Sequence, residues 1–195
     1  ATNHAIRALV DRRPSLAEEV MHGDHAIDQR EVELEEECLK ILALHQPFAS
    51  DLRFIVTVLK VNNDLERMGD LATNVAERAL YTATHDPIGV QLDFAEMGEA
   101  VRVMIRDALD AVIRRDVELA HRVRGLDDGV DRMHRRMYEV LQRVLTEEPD
   151  KAVRAVHLLS ASRHLERIAD HATNIAEDVI FMVEGKVVRH QPEQR

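Results

Sequence analysis

The sequence predicts an all-α fold, built as a tandem repeat of two three-helix bundles with six helices in all. Three observations predict it. Gly and Pro are scarce, seven and five in 195 residues, and both concentrate between stretches dominated by Ala, Leu, Glu and Arg. No stretch alternates apolar and polar residues for long in the manner of a strand. Two runs also repeat: "LERMGDLATNVAE" (65–77) and "LERIADHATNIAE" (165–177) agree at nine of thirteen positions, 100 residues apart. Glu66/Glu166, Asp70/Asp170, Thr73/Thr173 and Asn74/Asn174 are kept, while the changed letters are mostly apolar or small.

The elements follow in order. "AIRALVDRRPSLA" (5–17) pairs with "ALDAVIRRDVELA" (108–120), and "DHAID" (24–28) with "DDGVD" (127–131), both at an offset of 103. Each unit reads as a helix, a short helical segment, a second helix, a tight turn and a long third helix. "MHGD" (21–24) is expected to end one segment and start another, with Asp24 as N-cap after Gly23, and "RGLDDG" (124–129) mirrors it. "HQPFAS" (45–50) and "TEEPD" (146–150) are turns, Pro47 suiting a helix start. "THDPIG" (84–89) is the longer break. The units are therefore bounded at 1–86 and 87–185, with a flexible tail at 186–195. About twenty residues precede "ALDAV" but almost none precede "AIRAL". The first helix is therefore expected to be truncated and to leave apolar surface uncovered.

Composition excludes several classes. A net charge of −10 argues against generic nucleic-acid binding, and 3% aromatics without Trp argue against base-stacking platforms. No apolar run approaches the roughly 18–20 residues that cross a bilayer, and no basic-plus-apolar leader is visible. A lone cysteine, Cys38, gives no internal disulfide and suits a reducing cytosol. Its acidic neighbourhood, "EEECLKIL", is expected to raise the thiol pKa.

The chemistry lies in paired carboxylates. Residues i and i+4 share a helix face, so Asp24 points with Asp28, and Glu66 with Asp70. Alone, such a like-charged pair costs a helix only about 0.2–0.5 kcal/mol. Across the turn the pairs meet: Asp24 and Asp70 are equidistant from Pro47, and so are Asp28 and Glu66. In the second unit Asp127 with Asp170, and Asp131 with Glu166, are equidistant from a point beside Pro149. Each antiparallel hairpin thus brings four carboxylates to one level. Four would repel strongly unless protonated or bridged by cations. All-oxygen ligands suit Mg, Ca, Mn, or iron and zinc. Asn74 and Asn174 extend each stripe, and Asp178 extends the second again where Arg78 stands in the first. Ordinary surface ion pairs, with Arg67 and Arg167 as partners, are the other reading. The apolar face Leu158, Leu165, Ala172, Ala176 and Val183 lies far around the helix, which places the stripe on the bundle surface.

Other patterns carry less. Two E-x-x-H strings, Glu19–His22 and Glu118–His121, fall at unmatched repeat positions in the short segments and read as incidental. His157, His164 and His171, seven apart, read as a solvated or interface edge. No motif for nucleophilic or nucleotide chemistry occurs.

The doubled "LERxxDxATNxAE", with "QPFASDLRFIVTVLKVNNDLERMGDLATNVAE" around the first copy, resembles the PhoU family over nearly the whole chain. The resemblance implies a tandem pair of three-helix bundles with metal ions on the bundle surface. The ligands it implies are Asp24, Asp28, Glu66 and Asp70 in one site and Asp127, Asp131, Glu166 and Asp170 in the other, with Asn74, Asn174 and Asp178 as additions. Divalent or trivalent ions are implied, among Fe, Zn, Mn, Mg and Ni. The implied role is a non-enzymatic, cytoplasmic negative regulator of phosphate uptake, peripheral to the inner face of the membrane. Its expected partners are the phosphate ABC transporter ATPase and a sensor histidine kinase of two-component signalling, and a homodimer is expected. The competing class is a carboxylate-bridged metalloenzyme, a di-iron-like oxidase or a phosphatase.

Overall fold

The computed structural model describes residues 1–188. They form α1 (Thr2–Val10), α2 (Pro14–His45), α3 (Ser50–Ala83), α4 (Phe94–Arg114), α5 (Val117–Glu147) and α6 (Ala152–Glu184), with a 3-10 turn at Pro149–Lys151 before α6. No strand occurs among the described residues. Of the tail expected at 186–195, residues 189–195 lie outside them.

The repeat is visible in its turn chemistry. α1 passes to α2 through Arg12 at φ 51°, and α4 to α5 through Arg115 at φ 53°. At each turn an amide reaches back five residues, Arg13 to the Ala8 carbonyl and Asp116 to that of Ala111, both at 3.0 Å. One left-handed residue between two right-handed helices satisfies the orphan carbonyls and reverses the chain. Asp116 then caps α5, its carboxylate accepting from the Leu119 amide at 2.9 Å.

Two breaks read from the sequence do not exist. Gly23, Gly125 and Gly129 lie inside the unbroken helices α2 and α5, and none has positive φ. Asp24 is therefore no N-cap, and both E-x-x-H strings lie on long helices. A helical glycine costs about 0.5–1 kcal/mol relative to Ala, which neighbouring packing easily outweighs in helices of 32 and 31 residues. Pro47 sits in the turn at 46–49 rather than at a helix start, since α3 begins at Ser50.

Helices α2, α3, α6 and α5 form one layer in that order, because α2 packs on α3, α3 on α6 and α6 on α5. α1 covers α2 and α3, α4 covers α5 and α6, and α1 touches α4. A single hydrophobic cluster runs through both repeats, from Leu9 and Val20 through Val75 and Met97 to Ile168 and Val179. At the α1/α4 crossing a Cβ on Gly98 would collide with Ile6, so only glycine fits there. Alanines at 72, 76, 169, 172 and 176 are fully buried and let the long helices approach closely.

The α3/α6 seam carries polar residues on its outer side. His157 stacks on Tyr81 with ring centroids 3.6 Å apart. His171 meets Asp64 at 2.7 Å, and Lys60 meets Asp178 at 2.9 Å. The heptad-spaced histidines thus form an interface edge rather than a solvated one.

Candidate metal centres on the two hairpins

On each hairpin the four carboxylates paired by equal distance from the turn are neighbours, and among the described residues only Asp24, Asp28 and Asp70 of the first bring their oxygens close enough together to share one ion. In the first, Asp24 and Asp28 of α2 and Asp70 of α3 offer oxygens that all lie within 4.8 Å of one another. Glu66 stands beside them. Burial, then the neighbouring charges of Asp70, Asp28 and Glu31, hold its carboxyl above the ordinary value, against the opposing pull of Arg67. Arg67 pairs with Glu66 at 3.4 Å and with Asp70 at 3.8 Å. That is the surface ion pairing expected as the other reading, and it is here on the first hairpin.

In the second hairpin the same four positions are more enclosed. Burial, then repulsion from Asp170 and Asp131, pushes the Asp127 carboxyl up to about 6, although Thr173 donates to it at 3.2 Å. Burial, then repulsion from Asp170, pushes Glu166 up to about 7, against the pull of Arg163 and with further repulsion from Asp131 and Asp127. Asp170 is raised by burial and then by Asp131. The Glu166 side chain is 10% exposed against 22% for Glu66. Its Oε1 is held by Arg163, while Oε2 is buried with no hydrogen-bond partner. Glu166 therefore lies in the bundle wall and not on the open surface where the sequence placed the whole stripe.

The three additional ligand positions fare differently. Asp178 is 2% exposed, turned to Lys60 across the seam and away from the cluster, because four residues advance a helix face by about 40° and three such steps carry it onto the α3 side. Arg78, its counterpart, also lies in the seam. The Asn74 amide donates to the Asp70 carbonyl at 2.9 Å. Asn174 is half-buried one turn beyond Asp170. Sequence reasoning missed Glu31, three residues from Asp28 on the same face, and Arg163, three residues before Glu166. It quoted Thr173 as a kept letter without giving it a part. His22 and Glu19 take other partners, the Glu18 carbonyl at 2.6 Å and His4 at 3.4 Å, which fits the incidental reading of E-x-x-H.

The residues suit a hard cation. The clustered side chains are all carboxylates, one Glu166 oxygen is buried and unpaired, and burial followed by mutual repulsion, which a cation would relieve, pushes Asp127 and Glu166 toward protonation. Asp24, Asp28, Glu66 and Asp70 would hold one such site, and Asp127, Asp131, Glu166 and Asp170 the other. A cavity of about 290 Å³ lies elsewhere, between α1 and the 84–93 connection, lined by Leu9, Ile88, Phe94 and Leu158, and includes none of these carboxylates. Cys38 is buried, and burial followed by Glu37 raises its thiol pKa, so it stays an unreactive thiol.

Comparison with known proteins places this architecture. The PhoU domain model matches residues 1–79 and 94–179. The phosphate-specific transport system accessory protein PhoU homolog of Aquifex aeolicus is 42% identical over 98% of this chain and 86% of that protein. The homolog from Pseudomonas putida is also 42% identical, over 96% of this chain and 74% of its own length. The crystal structure of PhoU from Pseudomonas aeruginosa superposes with a TM-score of 0.92 at 40% identity, covering 95% of this chain and 89% of that one. The phosphate transport system regulatory protein PhoU from Streptococcus pneumoniae gives 0.84 at 28% identity, covering 96% and 88%. The chain belongs to the PhoU family.

Proposed function

We propose that this chain is a non-enzymatic, metal-binding accessory and negative regulator of phosphate transport. On this reading it is an adaptor between the phosphate ABC transporter ATPase and a sensor histidine kinase, at the inner face of the membrane. The relatives named for phosphate transport support the process. The unpaired, buried oxygen of Glu166 among three other carboxylates supports the metal. Among the described residues no helix is long and apolar enough to cross a membrane, which fits a protein that docks on a transporter rather than forming one.

The chain's own residues do the following. Asp24 and Asp28 on α2, with Glu66 and Asp70 on α3, clasp the two helices through a shared cation. Asp127 and Asp131 on α5, with Glu166 and Asp170 on α6, do the same in the second hairpin. A bound cation supplies charge neutralisation and cross-links each helix pair, fixing the outer face of the layer for a partner. The cavity of about 290 Å³ borders none of these carboxylates, which favours an adaptor over an oxidase or phosphatase. The experiment is elemental analysis of the purified protein against Asp70→Ala/Asp170→Ala. Metal should fall in the double variant, and unchanged content would remove these sites.

A further inference from the structure

The left-handed turn residues of the two repeats are both arginines, Arg12 at φ 51° and Arg115 at φ 53°. The repeat offsets of 103 and 100 make Arg12 equivalent to Arg115, and Arg154 equivalent to Phe54. Arg115 lies over the Phe54 ring, 5.1 Å from its centroid. The ring face meets that positive charge. In the equivalent pair the ring has become a second cation, Arg154. One junction thus has a cation on an aromatic ring, and the other has two guanidinium groups.

Both guanidinium groups turn to the connection between the repeats. Arg12 donates to the His85 carbonyl, and Arg154 donates to the next one, that of Asp86, at 3.1 Å. Arg154 also donates to the Asp150 carbonyl at 3.3 Å. Consecutive carbonyls bring the two charges to one place, and both arginines line the same cavity of about 290 Å³. Arg12 is exposed and Arg154 half-buried, so they stand at its mouth. The wall behind them is apolar, with Leu9, Ile88 and Phe94 buried and Leu158 half-buried. Asp86 is the one acidic residue on the lining. Among the described residues no carboxylate forms an ion pair with either arginine. A guanidinium carries five N–H donors, so both keep donors to spare.

We propose that this cavity binds a small amphipathic carboxylate, its apolar body inside and its carboxylate between Arg12 and Arg154. In a chain of net charge −10, two adjacent cations without a carboxylate partner leave a place for an anion from outside. Guanidinium groups suit a carboxylate because their parallel N–H donors match its two oxygens. The apolar wall selects against a bare inorganic anion, which gains nothing from it. Size limits the body. An apolar cavity of about 150 Å³ admits benzene, so one of about 290 Å³ admits a chain of about eight carbons. The cavity lies where α1, the 84–93 connection, α4 and α6 meet, a junction between structural units of the kind where ligand sites concentrate. A ligand there would tie the first repeat to the second through a contact that neither carboxylate cluster provides.

The test is equilibrium dialysis of the full chain against radiolabelled octanoate, with EDTA present. Removing metal keeps a cation on the carboxylate clusters from capturing the probe, so the outcome is separate from that of the proposed metal function. Saturable binding near one octanoate per chain is expected. Butanoate should bind at least tenfold more weakly, because it buries four fewer methylenes. Octylammonium, with the same body and the opposite charge, should not displace the probe. Arg154→Phe installs the residue found at position 54 and should weaken octanoate about tenfold or more, since it removes charge-assisted hydrogen bonds. Arg115→Gln, at the other junction, should leave binding within about twofold. In the unaltered protein the methyl resonances of Ile88 should shift on octanoate addition, a readout that needs no variant to fold. Absence of saturable binding at millimolar octanoate would overturn the site. So would displacement by octylammonium, or Arg154→Phe protein of native helicity that binds octanoate as tightly as before.

Discussion

The hairpin of α2 and α3 and the hairpin of α5 and α6 carry the same carboxylate pattern on differently covered frames. α4 is 21 residues long and α1 is 9. Met137 and Val144 on α5 are 3% and 4% exposed, whereas Leu34 and Ile41 at the equivalent positions of α2 are 41% and 36% exposed. The difference continues into the clusters. The first is open, its oxygens already gathered and partly neutralised by Arg67. The second is enclosed, and two of its carboxyls are pushed toward neutral pH. Identical ligands thus acquire different acid–base character from the cover behind them, because burial disfavours the charged form.

The largest effect should come from the frame. Met137→Ala opens a cavity under α4 and should cost about 2–5 kcal/mol, whereas Leu34→Ala should cost less than about 1 kcal/mol. Urea denaturation of both variants measures the contrast, and equal losses would mean that the two hairpins are equally packed.

Next is cation protection. A divalent ion at a hundred times its dissociation constant adds about 2.7 kcal/mol. Glu166→Gln/Asp170→Asn should remove more of the resulting rise in Tm than Glu66→Gln/Asp70→Asn. Arg163 is itself half-exposed and returns to solvent at little cost, and the enclosed quartet has more repulsion to lose. Thermal scans with and without Mn²⁺ decide it, and the reverse order would show that pre-gathered oxygens outweigh enclosure.

pH should separate the hairpins further. Asp127 and Glu166 have folded-state pKa values raised above their ordinary ones, so the folded state holds more protons than the unfolded between about pH 4 and 7. Stability of metal-free protein should fall as pH rises through that window, with Tm dropping by about 3–6 °C. Glu166→Gln should flatten the fall. Glu66→Gln should do less, since Glu66 is more open to solvent than Glu166, 22% against 10% exposed. A flat profile in the unaltered protein would contradict the enclosure of the second cluster.

The smallest effect concerns the threonines. Thr173 donates to Asp127, while the Thr73 hydroxyl is buried without a partner. Thr173→Val should cost about 0.5–1.5 kcal/mol and Thr73→Val should be neutral or slightly stabilising. Chemical denaturation of the two single variants checks this asymmetry.

The sequence by itself determined the helical class, the two repeats and which carboxylates share a hairpin. Those follow from local periodicity and from equal rise on antiparallel helices, which need no knowledge of what packs behind them. It misread Gly23, Gly125 and Gly129 as breaks, because a local penalty below about 1 kcal/mol yields to the packing of a long helix. It placed Asp178 on the carboxylate stripe, because only the docking of α6 on α3 shows that the stripe's far end turns to face Lys60. Tertiary structure alone decided that Glu166 is enclosed while Asp70 is not, that His157, His164 and Arg78 lie in one seam, and that Met137 is buried where Leu34 is exposed. Each of these depends on which distant helix supplies the cover, and burial and charge proximity are properties of that arrangement rather than of any one segment.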